Sequence, residues 1–320
     1  MCTAISYKAK DFYFGRTLDY ESSYGEEVVI TPRHYQFSYA HMGECTTHYA
    51  MIGMAHVAEE YPLYYEAVNE KGLGMAGLNF VGNACYGEYE ENAKNVATYE
   101  FIPWVLGACE SVEQVRDYLI GLNLIGETFA GKYPASSLHW LIADEKQSIT
   151  VEMVEEGLRI YDNPVGVLTN NPPFDKQMFL LNNYMQLSPK QPENHLAPGT
   201  YSRGMGALGL PGDLSSTSRF VRAAFTKLNA ISGETEESQV GQYFHIMETI
   251  SQQKGCCEVR DGEYEYTIYT SCCNASQGIF YYTTYENRQI TAVRMRPDML
   301  ERDQLIRYPM QHQEKIAYEN

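Results

Sequence analysis

Residues 1–20, MCTAISYKAKDFYFGRTLDY, read as two short strands about a polar turn. CTAISYKA and DFYFGRTL are rich in β-branched and aromatic residues, and a cysteine stands at position 2. The same texture continues in EEVVITPR, YAMIGMAHV and GLGMAGLNF, each bounded by Gly, Pro or polar residues. A helical pair follows. Residues 99–108 are apolar with good helix formers, and Ser111 with Gln114 makes a capping box for SVEQVRDYLIGL. Strands return in SSLHWLIAD, SITVEMVEE, GLRIYDN and GVLTN, the first two joined by a tight turn at Glu145-Lys146. Helices are expected over FDKQMFLLNNYMQL, SSTSRFVRAAFTKLN and ESQVGQYFHIMETI, before closing strands in YEYTIYTSC, GIFYYTTYE and RQITAVRM. An order of strands, helices, strands, helices, strands suits two stacked sheets covered by helices on both outer faces, an α+β class.

At 320 residues and 44% hydrophobic content the chain can bury one large core, so residues 1–320 are read as one domain. Ser188 to Gly212, rich in Pro and Gly, reads as a long loop. A net charge of −17 argues against nucleic acid or an anionic membrane as partner. No apolar run is long enough to span a bilayer, and the first residues lack a signal core, so a cytoplasmic protein is expected. The eight cysteines are diluted over a long chain and read as thiols. No Cys or His spacing fits a zinc site, so neither metal nor cofactor is expected. Two G-x-G-x-x-G matches, Gly72-Gly74-Gly77 and Gly204-Gly206-Gly209, lack the strand-to-helix context of a nucleotide site and read as turn or close-packing glycines. No G-x-S-x-G elbow is present.

Chemistry concentrates at Cys2. Removal of Met1 is expected before so small a side chain, and it leaves a thiol and a free α-amine on one residue. The amine has a reference pKa of about 7.7–8.0 and the thiol about 8.5, so the amine can take the thiol proton without any histidine. Nucleophile and base then sit on a single residue. Alone, a cysteine at position 2 is as well read as an incidental residue of a terminus.

Its company changes that. MCTAIS, FGRTLDY, SYGEEVVITPR, NEKGLGMAGLNF, LHWLIAD, GVLTNNP, GLPGDLSSTSRFVRAAF and YYTTYENRQI, in this order, resemble the choloylglycine hydrolases, the family of bile salt hydrolases and penicillin V acylases. The resemblance spans nearly the whole chain. It implies the four-layer αββα sandwich of N-terminal nucleophile hydrolases, hydrolysis of a linear amide C–N bond, no cofactor, and a homotetramer. Two departures, AGLNFV where many relatives read AGLNFP and FGRTLD where FGRNLD is commoner, touch no expected catalytic group. The doubled cysteines at 256–257 and 272–273 also differ from the relatives.

Carried over residue by residue, the resemblance places the catalytic set on Cys2, Arg16, Asp19, Asn79, Asn170 and Arg219. Arg16 would set a fixed positive charge by the sulfur and favour the thiolate; otherwise it is a surface ion pair with Asp19. Asp19 would accept hydrogen bonds from the α-amine; otherwise it is a turn residue. Asn79 would aim its amide at the scissile carbonyl oxygen, whereas Asn79 and Asn170 could each be turn formers. Arg219 would add positive charge, its plain alternative being a solvated helix position, with Arg222 one turn away. The resemblance also puts Leu18, Tyr24, Tyr65 and Phe129 in the acyl pocket. Asn79 favours the bile salt branch, since penicillin V acylases tend to carry Tyr there, and glycine- and taurine-conjugated bile acids are the expected substrates. Penicillin V or another N-acyl amide remains the alternative, and a non-catalytic steroid- or lipid-binding protein the remote one.

Overall fold

The computed structural model describes residues 1–320. The opening stretch forms a hairpin, β1 (Cys2–Lys8) and β2 (Phe12–Tyr20), paired from Cys2↔Leu18 to Lys8↔Phe12. The chain then builds most of a second sheet with β3 (Glu27–Thr31), β4 (Met51–Ala58), β5 (Tyr61–Asn69) and β6 (Gly74–Asn79). Helices α1 (Phe101–Ala108) and α2 (Val112–Tyr118) follow. Ser111 caps α2 as its spacing predicts, accepting from the Gln114 N–H at 3.3 Å, while the Gln114 side chain reaches back to the Glu110 N–H at 2.8 Å. Next come β7 (Leu138–Ala143), β8 (Ser148–Val154), β9 (Gly157–Asp162) and the short β10 (Val167–Leu168). Helices α3 (Phe174–Leu180), α4 (Ser216–Asn229) and α5 (Glu236–Glu248) lead to β11 (Tyr266–Asn274), β12 (Ile279–Thr284), β13 (Asn287–Arg294) and β14 (Ile306–Pro309).

Two mainly antiparallel sheets result. One has the order β10-β1-β2-β11-β12-β13, the other β9-β8-β7-β6-β5-β4-β3-β14. Helices α4 and α5 lie on the first sheet and α1 on the second, giving the αββα sandwich. A 42-residue cluster fills the space between the sheets and under α4 and α5. A separate 27-residue cluster, with Trp104, Trp140 and Phe101, lies under α1 and α2. The sheets approach closely where Gly74 of β6 faces Phe14 of β2, since a Cβ at 74 would stand 2.5 Å from that ring. The first G-x-G-x-x-G match is therefore a packing device. Residues 188–212 hold only a 3₁₀ turn, Met205–Ala207, and are mostly exposed.

Two strands of the main sheets were not expected from the sequence. YPLYYEAVN, not read as a strand, is β5: Met54 pairs with Glu66 and Ala55 with Tyr64, so Tyr65 is the extra residue of a bulge that breaks the alternation. IRYP, also unread, adds β14 to the edge at β3.

Candidate active site

Strand alternation sorts the groups around Cys2 onto two faces of the first sheet. Cys2 pairs with Leu18 and Ala4 with Arg16, so the Cys2, Leu18 and Arg16 side chains share the face turned to the second sheet. The intervening residues, Thr3, Thr17 and Asp19, face α4. Cys2 is 4% exposed and both arginines of the expected set are buried.

On the inter-sheet face, the Arg16 guanidinium donates to the Gly77 carbonyl and, at 3.2 Å, to the Tyr65 carbonyl, both on the second sheet. Its partner charge is Glu66 at 3.9 Å, not Asp19, so the surface ion pair allowed by the sequence does not form. Burial works against the charge of Arg16, but Cys2, Tyr269, Glu66 and Asp19 outweigh it and hold the guanidinium above its ordinary value. Glu66 accepts from Tyr269 Oη at 2.7 Å, and burial pushes its carboxyl up to about 7 against the pull of Arg16.

On the opposite face, Arg219 of α4 is fully buried and not a solvated helix position. Its Nη1 donates to the Cys2 carbonyl at 2.7 Å and to Thr3 Oγ1 at 2.6 Å, and its Nη2 to Asn170 Oδ1 at 2.7 Å. Nε donates to the Leu214 carbonyl at 3.0 Å, and Asp19 lies 3.9 Å from Nη1. Burial pulls Arg219 below its ordinary value, with Asp19 and Cys2 opposing. Arg222 instead holds the Thr249, Pro211 and Asp213 carbonyls.

Asn170 links the two sheets. Strand β10 pairs with β1 through Ala4↔Leu168 and Ile5↔Val167, which carries Asn170 alongside Cys2. Its Oδ1 accepts the Cys2 N–H at 2.8 Å, and its Nδ2 donates at 2.8 Å to the carbonyl of Asn79 at the end of β6. The Asn170 backbone is itself held: its N–H donates to Ser216 Oγ at 2.8 Å, and its carbonyl accepts from Gln177. Just before it, the Thr169 carbonyl meets His139 Nε2 at 2.8 Å. Asn79 is thus engaged through its backbone, with its side chain half-buried.

The Asp19 carboxylate accepts from Thr267 Oγ1 at 2.6 Å, Thr17 Oγ1 at 3.0 Å and Gln252 Nε2 at 3.3 Å, and the Cys2 nitrogen, a peptide N–H behind Met1, donates to Asn170. Met1 is in place, and its ammonium is held by Glu265 at 2.7 Å and the Asp19 carbonyl at 2.6 Å. Thr17, Gln252, Glu265 and Thr267 are site residues that the sequence reading missed. Only the pairing of β11 with β2, interrupted by a bulge at Ile268, brings Glu265 and Thr267 here.

Of the expected pocket residues, Leu18 and Tyr65 pack with Cys2 in the inter-sheet cluster, the bulge having turned Tyr65 inward. Tyr24 is 54% exposed, its ring tilted against Tyr20 at 5.6 Å between centroids. Phe129 packs with Tyr61, Tyr99 and Tyr133 beside the second cluster and not in the cluster that holds Cys2.

A family model for linear amide C–N hydrolases, the choloylglycine hydrolase family, matches residues 2–308. A bile salt hydrolase/transferase from Lactiplantibacillus plantarum is 53% identical over 314 residues, covering 97% of each chain. A bile salt hydrolase/transferase from Clostridium perfringens is 35% identical over 317 residues and 96% of each chain. The crystal structure of a C2A mutant of conjugated bile acid hydrolase from Clostridium perfringens superposes with a TM-score of 0.92 at 35% identity, over 100% of both chains. Penicillin V acylase from Agrobacterium tumefaciens shares the fold, with a TM-score of 0.77 at 18% identity over 96% of this chain and 90% of that one. With a cysteine at position 2 anchored on both its nitrogen and its carbonyl between two stacked sheets, and with these likenesses along its whole length, the chain belongs to the choloylglycine hydrolase family.

Proposed function

We propose that this chain is a bile salt hydrolase that cleaves the amide bond of glycine- and taurine-conjugated bile acids with Cys2 as nucleophile. The observation that carries the reading is the double anchoring of Cys2, nitrogen on Asn170 and carbonyl on Arg219, with its side chain on the face shared with Arg16. Loss of Met1 turns that nitrogen into a free α-amine. The amine takes the thiol proton, and the thiolate, beside the fixed charge of Arg16, attacks the amide carbonyl carbon. The C–N bond breaks as the α-ammonium returns its proton to the leaving nitrogen, which departs as glycine or taurine. Water, deprotonated by the same amine, then cleaves the thioester and frees the bile acid and Cys2.

The side-chain amide of Asn79, together with a backbone N–H, holds the oxyanion. Asn170 and Arg219 fix the amine and the Cys2 backbone, and Leu18 and Tyr65 supply apolar wall for the acyl part. Another amine can intercept the thioester in place of water, which gives acyl transfer as a minor activity. The same reading makes the enzyme a cytoplasmic homotetramer, checked by light scattering on purified protein and by cell fractionation.

The test compares kcat/KM for glycocholate, taurocholate and penicillin V, using wild-type protein shown by intact mass to lack Met1, and repeats it with Cys2→Ser. The expected result is a strong preference for a bile salt in the wild type and almost no turnover in a folded Cys2→Ser. Preference for penicillin V overturns the substrate, and wild-type-like turnover by Cys2→Ser overturns the mechanism.

A further inference from the structure

One titratable pair with no part in the proposed chemistry is wholly buried. His139 of β7 and Glu152 of β8 are both 0% exposed, with Nδ1 and Oε1 2.9 Å apart. His139 pairs across the sheet with Leu78, a member of the inter-sheet cluster, so its ring turns toward the site. A buried ionisable pair is costly to assemble and is poor evidence of a stabilising role by itself. What the pair touches is more telling. His139 Nε2 lies 2.8 Å from the Thr169 carbonyl, and Glu152 Oε1 accepts the Phe174 N–H at 3.0 Å, so the two side chains grip both ends of the segment that carries Asn170. The imidazole also stacks on Phe80, the residue after Asn79, with centroids 4.2 Å apart and planes 7° from parallel. A carbonyl oxygen only accepts, so Nε2 carries a proton. Nδ1 and Oε1 share a second proton, and whichever of them holds it, Nε2–H stays aimed at Thr169.

We infer that His139 and Glu152 are positioning residues that hold Asn170, and through Phe80 the end of β6 at Asn79, in line with Cys2. The inference rests on the proposed reading of Cys2 as nucleophile with the two asparagines beside it. The peptide unit between Thr169 and Asn170 is gripped at both polar atoms, its carbonyl by His139 and its N–H by Ser216 Oγ at 2.8 Å. Fixing the plane of that peptide fixes the direction of the Asn170 side chain, whose Oδ1 meets the Cys2 N–H and whose Nδ2 meets the Asn79 carbonyl. Glu152 keeps the imidazole a donor at Nε2, since a neutral ring has one N–H and could otherwise turn it away from Thr169. Releasing the peptide moves the groups that must meet the reacting atoms and leaves the apolar wall of Leu18 and Tyr65 in place, so turnover suffers and substrate affinity does not.

The experiment measures kcat and KM on glycocholate for processed wild type and for the double variant His139→Leu with Glu152→Gln. The double variant leaves no unpaired buried charge, keeps an oxygen for the Phe174 N–H and an apolar group against Phe80, and removes the donor to the Thr169 carbonyl. In folded, processed protein kcat should fall by about 10–100-fold with KM within about twofold of wild type. A kcat within about twofold of wild type, whatever the Tm, overturns the inference, and so does a loss carried by KM. A neutron structure of the wild type decides without any variant: a hydrogen on His139 Nε2 pointing at the Thr169 carbonyl is expected, and a bare Nε2 overturns the inference. Failure of the underlying reading looks different: wild-type protein without Cys2-dependent hydrolysis, whatever His139 and Glu152 do.

Discussion

Replacing Arg219 by lysine keeps the buried charge that balances Asp19 and removes only the shape of the guanidinium. The arginine spans four acceptors, the Leu214 and Cys2 carbonyls, Thr3 Oγ1 and Asn170 Oδ1, at 2.6–3.0 Å. A lysine ammonium is a point donor and cannot reach from Leu214 on α4 to Asn170 at the same time. Two hydrogen bonds to a charged donor are lost, each worth about 1.5–3 kcal/mol, so folding should weaken by about 3–6 kcal/mol. With an unfolding entropy of about 2.1 cal/mol/K per residue, that corresponds to a fall in Tm of about 4–9 °C. The Cys2 carbonyl and the Asn170 amide lose a common tie, so the amine and the thiol drift relative to each other, and kcat/KM should drop by about 10²-fold. Differential scanning calorimetry and initial rates on glycocholate check both numbers. A Tm within about 1 °C of wild type with turnover within about twofold would refute the reasoning, because it would mean that charge alone, and not the fork, holds Cys2.

Glu66 supplies a pH test. Its folded-state carboxyl, pushed up to about 7, keeps a proton that the unfolded chain releases near about 4.3. Wild-type stability from this group is therefore present at low pH and lost as pH rises toward 7, by about 3 kcal/mol in all. Glu66→Gln should escape that loss and gain on the wild type steadily between pH 5 and 7 in paired Tm series, and a constant difference would exclude the mechanism. Gly74→Ala drives a Cβ to 2.5 Å from the Phe14 ring, so Tm should fall by the equivalent of about 1–3 kcal/mol, with partial recovery when Phe14→Leu is added. An unchanged Tm would mean that the sheets can part there without cost.

The strand and helix runs were legible wherever alternation or a cap was local, as at α2, where Ser111 and Gln114 mark their own helix start. β5 escaped because Tyr65 is a bulge, and one inserted residue reverses the inside-outside pattern for everything after it. The catalytic positions were reachable only through resemblance. Alternation along FGRTLDY puts Arg16 and Asp19, three residues apart, on opposite faces, but which face meets the second sheet and which meets α4 is known only from the packing. Phe129 lies in a loop, which carries no register, and its neighbours Tyr61, Tyr99 and Tyr133 could not be read from the sequence. Glu265 and Thr267 were invisible for the opposite reason. Their importance comes from pairing with β2, some 250 positions earlier in the chain.

The alternation of β2 also explains why a chain of net charge −17 has two arginines at one cysteine. A single cation could not serve both faces of the first sheet. Arg16 shares the inter-sheet face with Cys2 and Leu18, and its donation to the Tyr65 and Gly77 carbonyls ties it to the second sheet. Arg219, on the α4 face with Thr3 and Asp19, touches the Cys2 backbone carbonyl and Thr3 Oγ1. Asn170 joins the Arg219 side of the site to the second sheet, binding Arg219 and the Cys2 nitrogen with one oxygen and the Asn79 carbonyl with its nitrogen. Asn170→Asp, nearly isosteric, therefore exchanges a donor for an acceptor at Asn79 while strengthening the pair with Arg219. It should leave the Cys2 side of the site intact and loosen Asn79, so that kcat falls by about 10²-fold with little change in KM or Tm. A loss confined to KM would show instead that the link between the sheets shapes the pocket and not the oxyanion site.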